Sequence, residues 1–200
     1  LTIEAIVTLS SISQRDYSLA IASDTSLAGA LMYYAAPDMP EGTWTAHIIR
    51  ASGQITALNP RSPDTEALGR RLHLAMVCGK DQVSLYADGK PAADSNIFPP
   101  HPADEHLGDG FTLGASLTKE GTTFRNLPGR IHAVRISKAA RYMGDFAPVR
   151  RLEPDPQTIA LYSFETRSGE VLPDVSGNNH HGKIVGARWI PLTTVDTEKK

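Results

Sequence analysis

The densest group of side chains able to do chemistry is Asp174-Val175-Ser176-Gly177-Asn178-Asn179, followed by His180 and His181. Asp174, Asn178 and Asn179 bring hard oxygen donors into one tight loop, which is the ligand chemistry that calcium prefers. A calcium ion normally gathers about six to eight oxygens, and the loop shows few. A second reading therefore stands beside the first. Asp174 and Ser176 would bond to loop amides while Gly177-Asn178 makes the turn, with no ion at all.

Other reactive residues point to less. The chain has seven histidines. His47, His73 and His132 fall inside apolar runs without the close second ligand that a zinc site needs, so structural roles are expected of them. His101 and His106 lie in a proline-rich stretch and read as solvated loop residues. The single Cys78 excludes an intrachain disulfide and sits in an apolar strand, where it reads as a small buried hydrophobe. No Gly-x-Ser-x-Gly elbow and no phosphate-binding loop of the Walker type is present. Gly108, Gly110 and Gly114 miss the dinucleotide-binding spacing and read as turn glycines.

Aromatic side chains are the usual anchors for a sugar ring, and there are two tryptophans, six tyrosines and five phenylalanines. Tyr33 and Tyr34 are neighbours on a strand, so one ring faces outward if the other packs inward. That outward ring together with Trp44 is the candidate ligand-binding platform, with burial the default for such large side chains.

The elements that must position these groups are strands. Short runs rich in Val, Ile, Leu, Thr and Tyr recur between turn residues at 2–9, 19–23, 30–35, 43–50, 54–58, 71–77, 82–87, 111–113, 130–137, 159–165 and 183–189. Asp88-Gly89 supplies the positive φ angles of a tight hairpin. Gly79-Lys80-Asp81 makes another reversal, so three neighbouring strands form a meander with Leu74, Met76, Val83 and Leu85 facing the core. Residues 138–142 are rich in helix formers and predict one helical turn at a corner. Residues 94–110, with three prolines, read as a long rim loop, and 148–156 as a connector.

With 200 residues, 40% hydrophobic and 21% charged, the chain is long enough to bury one core. Its net charge of −2 lacks the basic surplus of nucleic-acid binders. No apolar run approaches the roughly 20 residues of a membrane-spanning helix. Leu1 in place of an initiator methionine implies a piece of a longer protein.

Several stretches together resemble the laminin G-like jelly-roll modules of the concanavalin A-like superfamily, of the bacterial type. Thr2-Ile3-Glu4-Ala5 looks like an opening strand of that family, and 72–77 like its His-x-Ala-x-Val strand, each with an aliphatic residue where an aromatic is usual. Residues 85–90 resemble the following hairpin and 129–137 the glycine-led strand near the end. Ala139, Arg141, Tyr142, Phe146 and Pro148 resemble its corner, and 174–182 its Asp-x-Ser-Gly-Asn loop. That loop and strand 160–164 usually open such modules but here close one, which implies a permuted strand order or, as the alternative, the start of a second, truncated module.

The resemblance implies an all-β, two-sheet antiparallel sandwich over residues 1–192 with a polar tail at 193–200. It implies a non-catalytic module that binds a carbohydrate or glycoprotein, with calcium as the implied cofactor, in a larger protein placed outside the cell, at its surface or in the periplasm. Two alternatives stay open. One is a protein-interaction or spacer domain, and the other a glycoside hydrolase, which needs two carboxylates facing a scissile bond. The clustered acids Asp104-Glu105, Asp145, Glu153-Asp155 and Glu165 do not show that strand spacing.

Overall fold

The computed structural model describes residues 1–11, 17–23, 29–34, 42–49, 55–58, 68–96, 110–118, 120–165 and 169–190. At 17–23, 29–34, 48–49, 55–56 and 96 the description is of the backbone. The strands are β1 (Thr2–Leu9), β2 (Tyr17–Ser23), β3 (Gly29–Tyr34), β4 (Thr43–Ile49), β5 (Ile55–Leu58), β6 (Arg71–Cys78), β7 (Gln82–Ala87), β8 (Lys90–Asn96), β9 (Phe111–Leu113), β10 (Ser116–Leu117), β11 (Thr123–Phe124), β12 (Gly129–Ser137), β13 (Thr158–Tyr162), β14 (Val171–Leu172) and β15 (Gly182–Lys183).

Two antiparallel sheets form the body. One has the order β13-β12-β1-β6-β7-β8 and the other β5-β4-β3-β2-β9. Alternation sends Ile3, Ala5, Val7 and Leu9 of β1 to the inner face, where they meet Leu72, Leu74, Met76, Val83, Leu85, Val134 and Ile136 of the same sheet. Trp44, Ala46 and Leu58 join this core from the opposite sheet. All four core residues expected from the meander are buried. β10 pairs with β11 and β14 with β15 as small separate ribbons.

The Asp88-Gly89 hairpin forms as expected, with φ of 47° and 76° at its two central residues. A Cβ on Gly89 would lie 1.8 Å from the carbonyl oxygen of Phe146, whose own N–H donates to the Gly89 carbonyl at 2.9 Å. The turn therefore needs glycine twice, for its φ and for this close approach. β8, read from sequence as partly loop, follows because the turn presents 90–96 to β7. Pro91 is tolerated there because β8 is an edge strand.

Three expectations are corrected. Residues 138–142 make bends and not a helical turn. Thr2 Oγ1 takes both local backbone groups, donating to the Ala139 carbonyl at 2.7 Å and accepting from the Arg141 N–H at 3.0 Å. The strand expected over 159–165 ends at Tyr162, and Phe164 has φ 54°. The strand expected over 183–189 is confined to Gly182–Lys183. Residues 97–109, with His101, His106, Asp104 and Glu105, and the 193–200 tail lie outside the described residues.

The outer face of the six-stranded sheet is buried too, and its centre is ionic. Glu4 sits on β1 opposite Arg135 and Ala75. Its Oε1 accepts from Arg135 Nε and Nη2, each at 2.7 Å. Its Oε2 accepts from Tyr142 Oη at 2.9 Å and faces His73 Nε2 at 2.9 Å. The Val149 N–H donates to His73 Nδ1 at 3.3 Å, so Nε2 carries the proton given to Glu4. Burial alone would raise the Glu4 carboxyl, but the bonds from His73 and Arg135 outweigh it and hold it below its ordinary value. Burial and the Glu4 charge push the Tyr142 phenol up to about 12, so it stays a donor.

This network fastens residues 139–157 across the sheet. Tyr142 and Phe146 stack with ring centroids 3.5 Å apart, and both pack on Tyr86. Leu152 is buried against Ile6, Ala133 and Leu161. Arg135 Nη1 donates to the Glu153 carbonyl at 2.7 Å, and Arg141 makes a two-pronged pair with Asp155 at 2.8 and 2.7 Å.

Glu4→Gln is expected to lower unfolding stability by about 3–5 kcal/mol, because it leaves Arg135 buried against a neutral partner. The double variant Glu4→Leu/Arg135→Leu is expected to lose much less, measured by urea denaturation. Glu4 and Asp155, the latter held down by Arg141, both have depressed carboxyls. The stability they contribute is complete above the unfolded carboxylate range, about pH 4, and is lost as the pH falls towards their folded values. Unfolding midpoints at pH 7 and pH 3 check this, and Glu4→Gln should flatten the difference.

Candidate functional site

The Asp174 loop lies along the free edge of β13. Asp174 Oδ1 accepts from the N–H groups of Leu161 and Ser176, both at 2.9 Å. Its Oδ2 accepts from Ser176 Oγ at 2.8 Å and the His180 N–H at 3.0 Å. These four donors occupy the roughly four lone-pair positions of a carboxylate. Asn178 Nδ2 donates to the carbonyls of Thr158 at 3.0 Å and Ile159 at 2.9 Å. The Val175 N–H donates to the Leu161 carbonyl, and Asn179 holds a left-handed φ of 63°.

Of the two readings of this loop, the geometry matches the one built on internal hydrogen bonds. Side chains of Asp174, Ser176 and Asn178 stand where another strand would, so the loop closes the edge of the six-stranded sheet. An ion at Asp174 would have to displace donors already in place. Burial would raise the Asp174 carboxyl, but the bonds from Leu161, Ser176 and His180 hold it below its ordinary value. Among the described residues no group of three or more His, Cys, Asp or Glu is arranged to hold a metal.

The expected aromatic platform is corrected at Trp44, which is 3% exposed with its ring in the core. It pairs with Tyr33, as Tyr34 pairs with Thr43, but the side chains of Tyr33 and Tyr34 lie outside the described residues. With Trp44 and Ala46 inward, alternation puts His47 on the outer face of the five-stranded sheet. Pairing partners form one row across that sheet: Thr112, Ala22, Ala30, His47 and Ala57.

Arg125 lies within electrostatic reach of His47, and burial, followed by that positive charge, lowers the His47 pKa. The Arg125 guanidinium stands 5.6 Å from the centroid of the Phe124 ring, which is 38% exposed. The backbone at Arg125 is left-handed, with φ 54°. A half-open imidazole, a guanidinium and an exposed ring can together hold a neutral polar ligand with an apolar face. The sequence pattern alone assigns His47 a structural role and gives no signal for Phe124 and Arg125. An outward histidine in the alternation of 43–49 is the one clue it offers.

Among the described residues, carboxylates suited to hydrolysis do not gather here. Asp145 pairs with Lys90, Asp155 with Arg141, and Glu153 and Glu165 both with Arg151. Cys78 is partly buried at the end of β6, and burial pushes its thiol up to about 11, as suits an inert residue. Among the described residues no helix is long and apolar enough to cross a membrane.

Asp174→Ala is expected to unpair the β13 edge, costing about 1–3 kcal/mol for the buried donors it strands. Size-exclusion chromatography should then show concentration-dependent association, while Asp174→Asn should retain more of the monomer.

Comparison with known proteins agrees with this architecture. The laminin G-like model of the concanavalin A-like lectin/glucanases superfamily matches residues 1–144. Among solved structures, a candidate carbohydrate-binding protein from Bacteroides ovatus ATCC 8483 superposes with a TM-score of 0.63 at 17% identity. The match covers 90% of this chain but 50% of that one, so the chain spans about half its length. No curated protein sequence matches. The strand alternation, the two-sheet core and the match over most of the chain agree, and this protein belongs to the laminin G-like family of the concanavalin A-like lectin/glucanases superfamily.

Proposed function

We propose that this module is a non-catalytic carbohydrate-binding domain whose site is the outer face of the five-stranded sheet around His47, Phe124 and Arg125. The observation that carries the reading is the half-open His47 imidazole with the Arg125 guanidinium in electrostatic reach, and the exposed Phe124 ring 5.6 Å from that guanidinium. A sugar ring offers an apolar face to an aromatic ring and hydroxyls to imidazole and guanidinium. The family and the Bacteroides ovatus structure support the ligand class. The pairing of Asp145, Glu153, Asp155 and Glu165 with cations favours binding over hydrolysis.

Glycan-array binding of the purified chain, run in calcium and repeated in chelator, tests the reading. Selective binding is expected, weakened about tenfold or more by Phe124→Ala and by His47→Ala, each removing a direct contact. With Asp174 already saturated by donors, chelator is expected to leave binding intact. Loss of binding in chelator would instead assign calcium to the Asp174, Asn178 and Asn179 loop. A blank array in both buffers would overturn the carbohydrate reading in favour of a protein-interaction module.

A further inference from the structure

Residues 138–157 leave the six-stranded sheet and return to it as one loop with a closed neck. The Lys138 N–H donates to the Gln157 carbonyl at 2.9 Å, and the Arg141–Asp155 pair bridges the neck a little further in. The core between the two sheets takes no residue from this loop. The body of the loop, residues 142–153, is attached to the outer face instead, and His73 stands at the centre of that attachment.

The His73 side chain is 2% exposed, and the rings of Phe146 and Tyr142 meet it edge-on with centroids at 5.5 and 6.3 Å. Its Nε2 bonds to Glu4, and its Nδ1 accepts from the Val149 N–H. An imidazole accepts at Nδ1 only while that nitrogen carries no proton. A proton there would set two N–H groups against each other in a place closed to water, and the Val149 donor would be stranded.

Charge balance points the same way. The titratable and charged groups around the ring are Glu4 on β1, Asp88 in the hairpin turn, Tyr86 on β7, Arg135 on β12, and Arg141 and Tyr142 on the loop. Arg71 of β6 adds its charge beside Val149, where it donates to the Arg150 carbonyl. Asp88 Oδ1 accepts from the His73 N–H at 2.8 Å. Each carboxylate nearby already has a guanidinium, Glu4 with Arg135, Asp88 with Arg70 and Asp155 with Arg141. An imidazolium would therefore enter as an added buried cation with no carboxylate to itself.

We infer that His73 is a proton-operated catch, whose protonation at Nδ1 releases residues 142–153 from the outer face while the neck and the two-sheet core stay in place. Histidine is the side chain whose charge ordinarily changes between about pH 5 and 8, so mild acid is the trigger. Glu4 and Asp155, both held below their ordinary values, keep their charges there. Lifting the body uncovers Ala75, Val77 and Tyr86, an apolar strip that Tyr142 and Phe146 now cover. The device belongs to the six-stranded sheet and is independent of the carbohydrate reading.

Hydrogen exchange of the whole chain at about pH 7.5 and about pH 5.5, corrected for the intrinsic pH dependence of exchange, tests the catch. Two amides report on the body: Val149, bonded to His73, and Phe146, bonded to the Gly89 carbonyl. The Arg141 amide, bonded to Thr2 Oγ1, reports on the neck, and the amides of β1 and β6 report on the sheet. Protection of Val149 and Phe146 is expected to fall about tenfold or more at the lower pH, the scale of one stranded buried donor, while neck and sheet keep theirs. His73→Gln retains a neutral side chain with a donor and an acceptor, and should hold both amides equally at the two pH values. His47→Gln, on the other sheet, is the control and should leave the pH response as it is.

Unchanged protection of Val149 and Phe146, or a pH response that survives His73→Gln, would overturn the inference. So would an equal fall across β1 and β6, which marks unfolding of the whole module. Should His73→Gln fail to fold, the ring nitrogen chemical shifts of His73 in the unaltered protein decide. A proton gained at Nδ1 in step with the loss of Val149 protection is expected. Protection lost while the ring stays neutral, or a protonated ring with Val149 still protected, sinks the idea.

Discussion

A carboxylate at the middle of a central strand is the constraint around which the rest is arranged. Glu4 is fully buried on the outer face of β1, where a sandwich ordinarily meets water. Taking an ion out of water costs several kcal/mol, which is offset only when its oxygens are filled by well-placed donors. Arg135 comes from the next strand, His73 from the strand on the other side, and Tyr142 from the segment that crosses the sheet. Four separate parts of the chain must be in place before the charge is satisfied. Residues 139–157 are thereby held against the sheet, and the hairpin turn at Gly89 is locked beneath Phe146.

The edges of the six-stranded sheet are protected by similarly local means. β8 is short of β-forming residues and contains Pro91, which discourages further pairing. β13, at the far edge, is closed by the side chains of Asp174, Ser176 and Asn178. A loop rich in oxygen atoms thus serves hydrogen-bonding needs of the backbone. The same residue types that suggest a calcium site are those that cap strands and turns, because both tasks need compact side chains with lone pairs.

With its core shared between the sheets and one edge closed, the molecule has two outer faces of different character. The five-stranded sheet carries His47, with Arg125 in electrostatic reach of it and the exposed Phe124 ring beside that guanidinium. The six-stranded sheet is covered at its centre. Neither face gathers opposed carboxylates from the acids Asp145, Glu153, Asp155 and Glu165, each of which already pairs with a cation. A scaffold of this kind supports binding through shape and a few polar groups, and the particular side chains on each face decide the ligand.

Most strands of the six-stranded sheet, the Asp88-Gly89 hairpin and the buried set of Leu74, Met76, Val83 and Leu85 are legible in the order of the residues. These features depend on alternation and turn chemistry, which act between near neighbours. The family resemblance is legible for the same reason, since it rests on those strands and turns. Other features had to wait for the chain to fold. Thr2 drew the backbone of 138–142 away from a helical turn, and the pairing with β7 made a strand of 90–96 despite its composition. Trp44 went into the core because its strand neighbours required that face. Glu4, Arg135 and Tyr142 became one network although the first and last are separated by most of the chain, and His47 met Arg125 only through folding. Charges, hydroxyls and rings acquire roles from partners distant in sequence, and those distances are set when the sheets close on each other.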